Sequence, residues 1–219
     1  MGMVQEGKIF VDRRDAGYEL GKLLEKEYKG KGVLVLGIPR GGVVVAYEVA
    51  QVLNGQLSVV ITKKLPHPSQ EELAVGAIAE DGSVYLTQAG RQLSTDILNA
   101  IIKEQWAEIQ SRIQRFRQGK PLPAMDDRTI ILVDDGIATG STLVPAIQLC
   151  KNRGAARVVV AAPVAGKDLL PEIRTLANDV VIVGQPENFY AVGQVYNDFH
   201  HLSDEEVISL LEDFEGTKR

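Results

Sequence analysis

Ile130-Ile131-Leu132-Val133-Asp134-Asp135-Gly136-Ile137-Ala138-Thr139-Gly140-Ser141-Thr142-Leu143 is the stretch from which the fold follows. Four apolar β-formers run straight into two carboxylates, then into a loop of small and hydroxyl residues. A helical pattern follows at once, with Leu143, Ile147, Leu149 and Cys150 on its apolar face. An unbroken apolar strand leading into a helix is the pattern of a buried parallel strand in an α/β sheet. Such sheets bind ligands at the carboxyl ends of their strands. Thr139, Gly140, Ser141 and Thr142 offer backbone N–H groups and hydroxyls at a helix N-terminus, which favours a phosphate. Asp134 and Asp135 would repel that phosphate, so they serve something else, such as sugar hydroxyls or a hydrated cation. The plainer alternative is an ordinary strand-loop-helix with a capped helix start, since Ser and Thr are favoured N-caps. A Gly-Lys-Ser/Thr loop and a Gly-x-Gly-x-x-Gly turn between strand and helix are both absent.

Upstream, Val33-Leu34-Val35-Leu36-Gly37-Ile38 reads as another buried strand, followed by Pro39-Arg40-Gly41-Gly42. A helix then runs through Val43, Ala46, Val49, Ala50 and Leu53 to a stop at Asn54-Gly55. This is a βα unit of a parallel sheet. Adjacent glycines at a strand end let the backbone approach a ligand closely, and Arg40 adds a fixed cation. Leu57-Ser58-Val59-Val60-Ile61 is a third apolar strand. It enters 62–71, where two prolines and several polar residues predict an irregular, mobile loop. The adjacent Lys63 and Lys64 face a polyanion there, or else solvent. Residues 74–79 and 84–86 read as a hairpin with an Asp-Gly turn.

The run Val133-Asp134-Asp135-x-x-x-Thr139-Gly140-Ser141-Thr142 resembles the phosphoribosyl pyrophosphate (PRPP) signature of the type I phosphoribosyltransferases. Pro39-Arg40-Gly41-Gly42 resembles the pyrophosphate loop of that family, and the likeness runs from about Val33 to Phe199. It implies a Rossmann-like α/β fold, a parallel sheet flanked by helices, with a small hood. It implies transfer of a 5-phosphoribosyl group from PRPP to a nucleobase-like nitrogen, with pyrophosphate released. By the same likeness Asp134 and Asp135 contact the ribose hydroxyls, the turn Thr139, Gly140, Ser141 and Thr142 holds the 5′-phosphate, and Gly136 and Ala138 belong to the same PRPP-binding loop. Arg40, Gly41 and Gly42 take the pyrophosphate, and the peptide between Pro39 and Arg40 is cis. Lys63 and Lys64 match the basic residue that a closing loop carries to the site. Mg²⁺ enters with PRPP, with Asp134 and Asp135 as its candidate protein ligands.

Phe189-Tyr190-Ala191-Val192-Gly193, followed by Tyr196-Asn197-Asp198, resembles the carboxyl-terminal hood of purine-type members. There an aromatic stacks on the base, which makes Phe189 and Tyr190 the candidates. One position departs from the 6-oxopurine pattern, which has an Asp immediately before the Thr-Gly. Here Ala138 stands, and a methyl group neither accepts a proton nor hydrogen-bonds. Orotate- and adenine-type members also lack that Asp. A regulator that senses PRPP or nucleotide without turnover would need the same phosphate site. A phosphotransfer receiver domain also uses a strand-end Asp pair with Mg²⁺, but it leaves Thr139-Gly140-Ser141-Thr142 unexplained.

A length of 219 residues suits one α/β domain, here 1–219 with a core at about 33–184 and a hood at about 185–203. The formal charge of −5 counts against nucleic acid as a partner. Cys150 is the only cysteine, so no intrachain disulfide forms. No membrane-spanning run or signal-peptide core is present, and the expectation is a reduced, cytoplasmic protein. The charges at 12–15 read as the solvated start of a helix through Ala16, Leu20, Leu23, Leu24 and Tyr28. The longest helical pattern is 94–118, with Ile97, Ile101, Trp106, Ile109, Ile113 and Phe116 as its stripe. It is an insertion relative to compact members of the family and a candidate homodimer face. A strand at 157–163, a helix at 167–176 and a strand at 180–183 complete the pattern. His67, His200 and His201 lack ligand spacing, so no zinc site is expected.

Overall fold

The computed structural model describes residues 10–167, 169 and 171–217. The chain opens with α1 (Arg13–Tyr28), β1 (Leu34–Gly37), α2 (Gly41–Leu53) and β2 (Gln56–Val59). Next come β3 (Thr62–His67), β4 (Gln70–Ala79), β5 (Val84–Leu86), α3 (Gln88–Arg91) and α4 (Thr95–Arg117). It continues through β6 (Thr129–Val133), α5 (Leu143–Asn152), β7 (Arg157–Val164), α6 (Pro171–Leu176), β8 (Asp179–Gly184) and α7 (Asp204–Thr217).

Five strands form a parallel sheet in the order β2-β1-β6-β7-β8. The winding reverses between β1 and β6: from β1 the chain steps outward to β2, and from β6 it steps the other way. Gly37 lies in register with Val133, so the two strands end level and their loops share one crevice. That crevice is where open α/β sheets bind ligands.

The apolar runs are continuous because both faces are covered. Val33, Val35, Ile131, Val133, Val159 and Ala161 pack beneath α1 and α2. Their neighbours Leu34, Leu36, Ile130, Leu132, Val158 and Val160 pack beneath α5 on the opposite face. A period of two thus divides one sequence run between two cores. Each fully buried Val, Leu or Ile contributes about 1.5–3 kcal/mol relative to exposure. Cys150 faces the second core, where burial pushes its thiol up to about 12.

A smaller antiparallel sheet, β3-β4-β5, corrects one expectation. Residues 62–71 are not an irregular loop; Thr62 to His67 pair with Gln70 to Ala79. Register shifts at Leu65/Pro66 and Pro66/His67 absorb the proline, which cannot donate to a ladder. What holds the hairpin is burial of Leu65, Val75 and Ile78 against Ile101, Ile109 and Phe116 of α4. The stripe of α4, a candidate dimer face in the sequence, is therefore largely spent inside the chain. The Asp81-Gly82 turn is present, with Gly82 at φ 89°.

In the 185–203 segment, Val195 and Tyr196 are buried, and Phe10 N–H donates to the Val195 carbonyl at 2.8 Å. Helix α7, which the sequence reading did not foresee, follows and buries Val207 and Phe214. Of the helix expected over 167–176, α6 supplies Pro171–Leu176, while Asp168 and Leu170 lie outside the described residues. Among the described residues, no helix is long and apolar enough to cross a membrane.

Candidate active site

The two acids at the end of β6 sit in different surroundings. Asp135 Oδ2 accepts a hydrogen bond from Arg13 Nε at 2.8 Å. The Arg13 guanidinium lies 3.8 Å from the centroid of the Phe199 ring and donates to the His200 carbonyl at 3.0 Å. Tyr196 O–H donates to the Asp135 carbonyl at 2.5 Å, and its ring stacks on Phe199. Arg13 is only 8% exposed, which corrects the reading of 12–15 as a uniformly solvated start. Asp12 is the helix N-cap, and Arg14 reaches outward to Glu48. The available signal was position: Arg13 shares the helix stripe of Ala16, Gly17 and Leu20, all buried. Asp134 has no such counterion. Burial, and then the charge of Asp135, push its carboxyl well above the ordinary range, against a smaller pull from Lys64.

At the end of β1 the glycines are required before any ligand is considered. A Cβ on Gly41 would lie 1.8 Å from Asp135 Oδ2 and 2.8 Å from Arg13 Nε. A Cβ on Gly42 would lie 2.7 Å from the Val133 carbonyl oxygen. The β1–α2 turn is thus pressed directly onto the β6 end. Gly41→Ala is expected to cost about 1–3 kcal/mol in urea unfolding despite alanine's better helix propensity, because Asp135 must move. An alanine variant as stable as the wild type would show that the turn has room.

The Pro39–Arg40 peptide is cis. Arg40 is held from the carboxyl-terminal side: Nε pairs with Asp204 at 2.9 Å, and Nη1 donates to the Leu202 carbonyl at 2.8 Å. Nη1 also lies 2.6 Å from His201 Nε2. Asp204 pairs with Arg115 of α4 as well, so α7 clamps the β1 loop and the long helix together.

The loop after β6 is anchored at its base and open at its tip. Ile137 N–H donates to the Val164 carbonyl at 2.9 Å, and Gly166 N–H to the Ile137 carbonyl at 2.8 Å. Gly136 is packed beneath Val192, where a Cβ would come within 2.5 Å of Cγ1. Gly140 adopts φ +86°, a turn that suits glycine. Among the described residues, no hydrogen bond engages the backbone N–H groups of 138–142. Five free amides leading into the ten-residue helix α5 form a ready anion site. Ala138 and Thr139 are exposed and Ser141 is buried.

Ile38 to Gly41, Asp134, Asp135 and Thr142 line a cleft of about 530 Å³ whose far wall is β3 and α4. Lys63 and Lys64 both reach that wall. Consecutive strand residues point to opposite sides. Lys64 acts electrostatically on Asp134, while Lys63 turns toward Arg112 of α4. Burial first, then Arg112, lowers the Lys63 pKa, with Glu108 opposing. Thr62, Gln105 and Arg112 also line the cleft and were missed in the sequence. Thr62 Oγ1 is buried with no hydrogen-bond partner among the described residues.

Phe189 and Tyr190 do not line this cleft. Tyr190 is 85% exposed. Phe189 is half-buried beside the signature loop: a Cβ on Gly166 would lie 3.1 Å from its Cδ1 and 3.2 Å from the Ala138 carbonyl oxygen.

The family model described as a phosphoribosyl transferase domain matches residues 16–200, a span that contains both strand-end loops. The chain is 42% identical over 208 residues to "Putative phosphoribosyl transferase Rv0571c" of Mycobacterium tuberculosis, covering 94% of this chain and 47% of that protein. The chain thus spans about half the length of these curated relatives. It is 26% identical over 196 residues to "Bifunctional protein PyrR" of Syntrophobacter fumaroxidans, covering 83% of this chain and 88% of that one. The crystal structure of TT1426 from Thermus thermophilus superposes with a TM-score of 0.80 at 39% identity, over 94% of this chain and 99% of that chain. On its sequence and its fold, the chain belongs to the phosphoribosyl transferase family.

Proposed function

We propose that the chain transfers the 5-phosphoribosyl group of PRPP to a nitrogen acceptor and releases pyrophosphate. The observation that carries this reading is the meeting, at one switch point, of Asp134, the unengaged 138–142 amides and the cations Arg40, Lys63 and Lys64. The loop suits a phosphate monoester, the acids suit ribose hydroxyls, and the opposite wall suits a diphosphate. Breaking the glycosyl C–O bond builds positive charge on the ribose ring and negative charge on the leaving pyrophosphate. Asp134 and Asp135 orient the ribose and favour the first charge, while the cationic wall favours the second. Positioning by two level strand ends supplies much of the remainder.

Mg²⁺ fits as a companion of the substrate. Among the described residues, no cluster of three or more His, Cys, Asp or Glu side chains offers a closed metal site. Asp134 and Asp135 are two carboxylates at the cleft, and Arg13 already neutralises the second. Such a set suits a hydrated Mg²⁺ that takes its other oxygens from water and phosphate, with Asp134 as the protein ligand. When bound, it would add charge stabilisation to the leaving group.

The acceptor is constrained by Ala138. With no carboxylate at that place, hypoxanthine and guanine are expected to turn over slowly or not at all. A planar ring stacked on Phe189, the better placed of the two aromatics, would gain about 1–3 kcal/mol. A pyrophosphate-release screen with PRPP, Mg²⁺ and a panel of bases and amines tests both points. Efficient hypoxanthine or guanine turnover, at about 1–1000 per second, would overturn the inference from Ala138. PRPP binding without release from any acceptor would favour a PRPP- or nucleotide-sensing regulator. For that second reading the grip of Asp204 on Arg40 is the supporting observation.

A further inference from the structure

We propose that Arg112, on the long helix α4, is a further binding residue for the diphosphate of the phosphoribosyl donor. The proposal rests on the transferase reading above and adds a residue that lies outside both strand-end loops.

Arg112 stands where two clefts meet. One is the 530 Å³ cleft of Asp134, Lys63 and Lys64. The other, of about 520 Å³, is lined by Arg13, Arg40, Arg112, Phe199, His200 and His201 together with Pro39, Gly41 and Leu202. No Asp or Glu among the described residues lines the second cleft. Arg40 and Arg112 are the charged side chains common to both.

The cations around this junction are not equivalent. Arg13 is neutralised by Asp135, and Arg40 by Asp204, which also holds Arg115. Arg112 has neither a hydrogen bond nor an ion pair to any described residue. Glu108, one turn earlier on α4, and Asp204 lie close enough to act on the cluster. Neither is a partner of Arg112, and Asp204 is already shared between two arginines. Lys63 lies beside Arg112, half-buried, so two cations approach each other with only Glu108 opposing their repulsion. That arrangement is unfavourable until a polyanion enters.

Helix α4 also holds Arg112 in place. Arg115 is tied to Asp204 and Arg117 to Glu80, so the turn carrying Arg112 is anchored just beyond it. Gln105, two turns earlier and buried, lines the same cleft. A guanidinium presented on a fixed helix offers a planar fork to two phosphate oxygens, and no loop closure is required to bring it there.

The test is calorimetry on the full chain with inorganic pyrophosphate, ribose 5-phosphate and PRPP, each with MgCl₂. Arg112→Ala is expected to weaken pyrophosphate and PRPP about 10- to 100-fold and to leave ribose 5-phosphate unchanged. Arg112→Lys should recover part of the loss, because an ammonium supplies charge without the fork. Arg112→Gln keeps most of the stem and serves as the second variant should the alanine form melt early. Equal pyrophosphate affinity in wild type, Arg112→Ala and Arg112→Gln would overturn the proposal, as would a wild type that binds no pyrophosphate. A wild type that binds pyrophosphate but neither PRPP nor ribose 5-phosphate would sink the transferase reading instead, and the pyrophosphate arm would still decide the role of Arg112.

Discussion

Asp134→Asn is expected to raise the melting temperature of the free protein while weakening PRPP binding about 10- to 100-fold, whereas Asp135→Asn is expected to lower both stability and affinity. The opposite signs follow from their surroundings. Burial and the neighbouring Asp135 hold the Asp134 carboxyl well above its ordinary value of 3.8. A carboxyl raised in the folded state stabilises that state while it is protonated. The contribution is complete below the ordinary value and is lost as pH climbs through the raised one. Above that raised value the wild type has lost it, and an asparagine, which never ionises, carries no such penalty at any pH. Asp135 is the reverse case, since it is the counterion of an Arg13 that is 8% exposed. Neutralising it leaves a buried guanidinium underpaired, at a cost of about 1–3 kcal/mol. Inorganic phosphate, which on the proposed reading addresses the 138–142 amides, should bind both variants as it binds the wild type. Scanning calorimetry at pH 5 and pH 7, with titrations of PRPP and phosphate, checks all four outcomes. A lower melting temperature for Asp134→Asn, or equal losses of PRPP and phosphate, would remove Asp134 from the ribose site. If the result holds, this acid is retained at the expense of stability, as functional sites commonly are.

What was legible in the chain was whatever is contiguous. The five parallel strands could be read because each is an apolar run closed by a turn, and the two strand-end loops because their chemistry lies within a few residues. Arg13 was hidden by its neighbours: among Asp12, Arg14 and Asp15 it looks like one more surface charge, and only the stripe with Ala16, Gly17 and Leu20 marks it as inward. The β3–β4 hairpin was hidden because Leu65 is the sole large apolar residue of 62–71, and its burial depends on α4, some forty residues on. Lys63 and Lys64 were visible as a pair, but not their division of labour, which follows from the pleat of β3. Arg112 and Gln105 could not be placed without the docking angle of α4. Phe189 and Tyr190 came from resemblance, and the structure separates them by exposure.

Glu80→Ala is expected to destabilise the protein by about 3–5 kcal/mol. Glu80 follows directly on β4 and pairs with Arg117 at the end of α4, with side chains 5% and 6% exposed. Its other oxygen accepts the Ile61 N–H at 2.9 Å. Removing it strands a guanidinium whose Nε and Nη1 are already buried without partners, and it leaves an amide unsatisfied as well. Yet the pair itself adds little. Burial raises the Glu80 pKa despite the opposing pull of Arg117, so desolvation outweighs the attraction between the two. The two statements predict a specific pattern. Glu80→Met with Arg117→Met should recover most of the loss, falling short by about 1–3 kcal/mol for the Ile61 amide. Glu80→Gln keeps an acceptor for that amide and should fall between wild type and Glu80→Ala. Urea unfolding of the four proteins measures the pattern, and Glu80→Ala within about 1 kcal/mol of wild type would refute it. Because α4 also presents Arg112, Glu80→Ala should lose pyrophosphate affinity along with stability, while the double methionine variant, with the helix end repacked, should keep it.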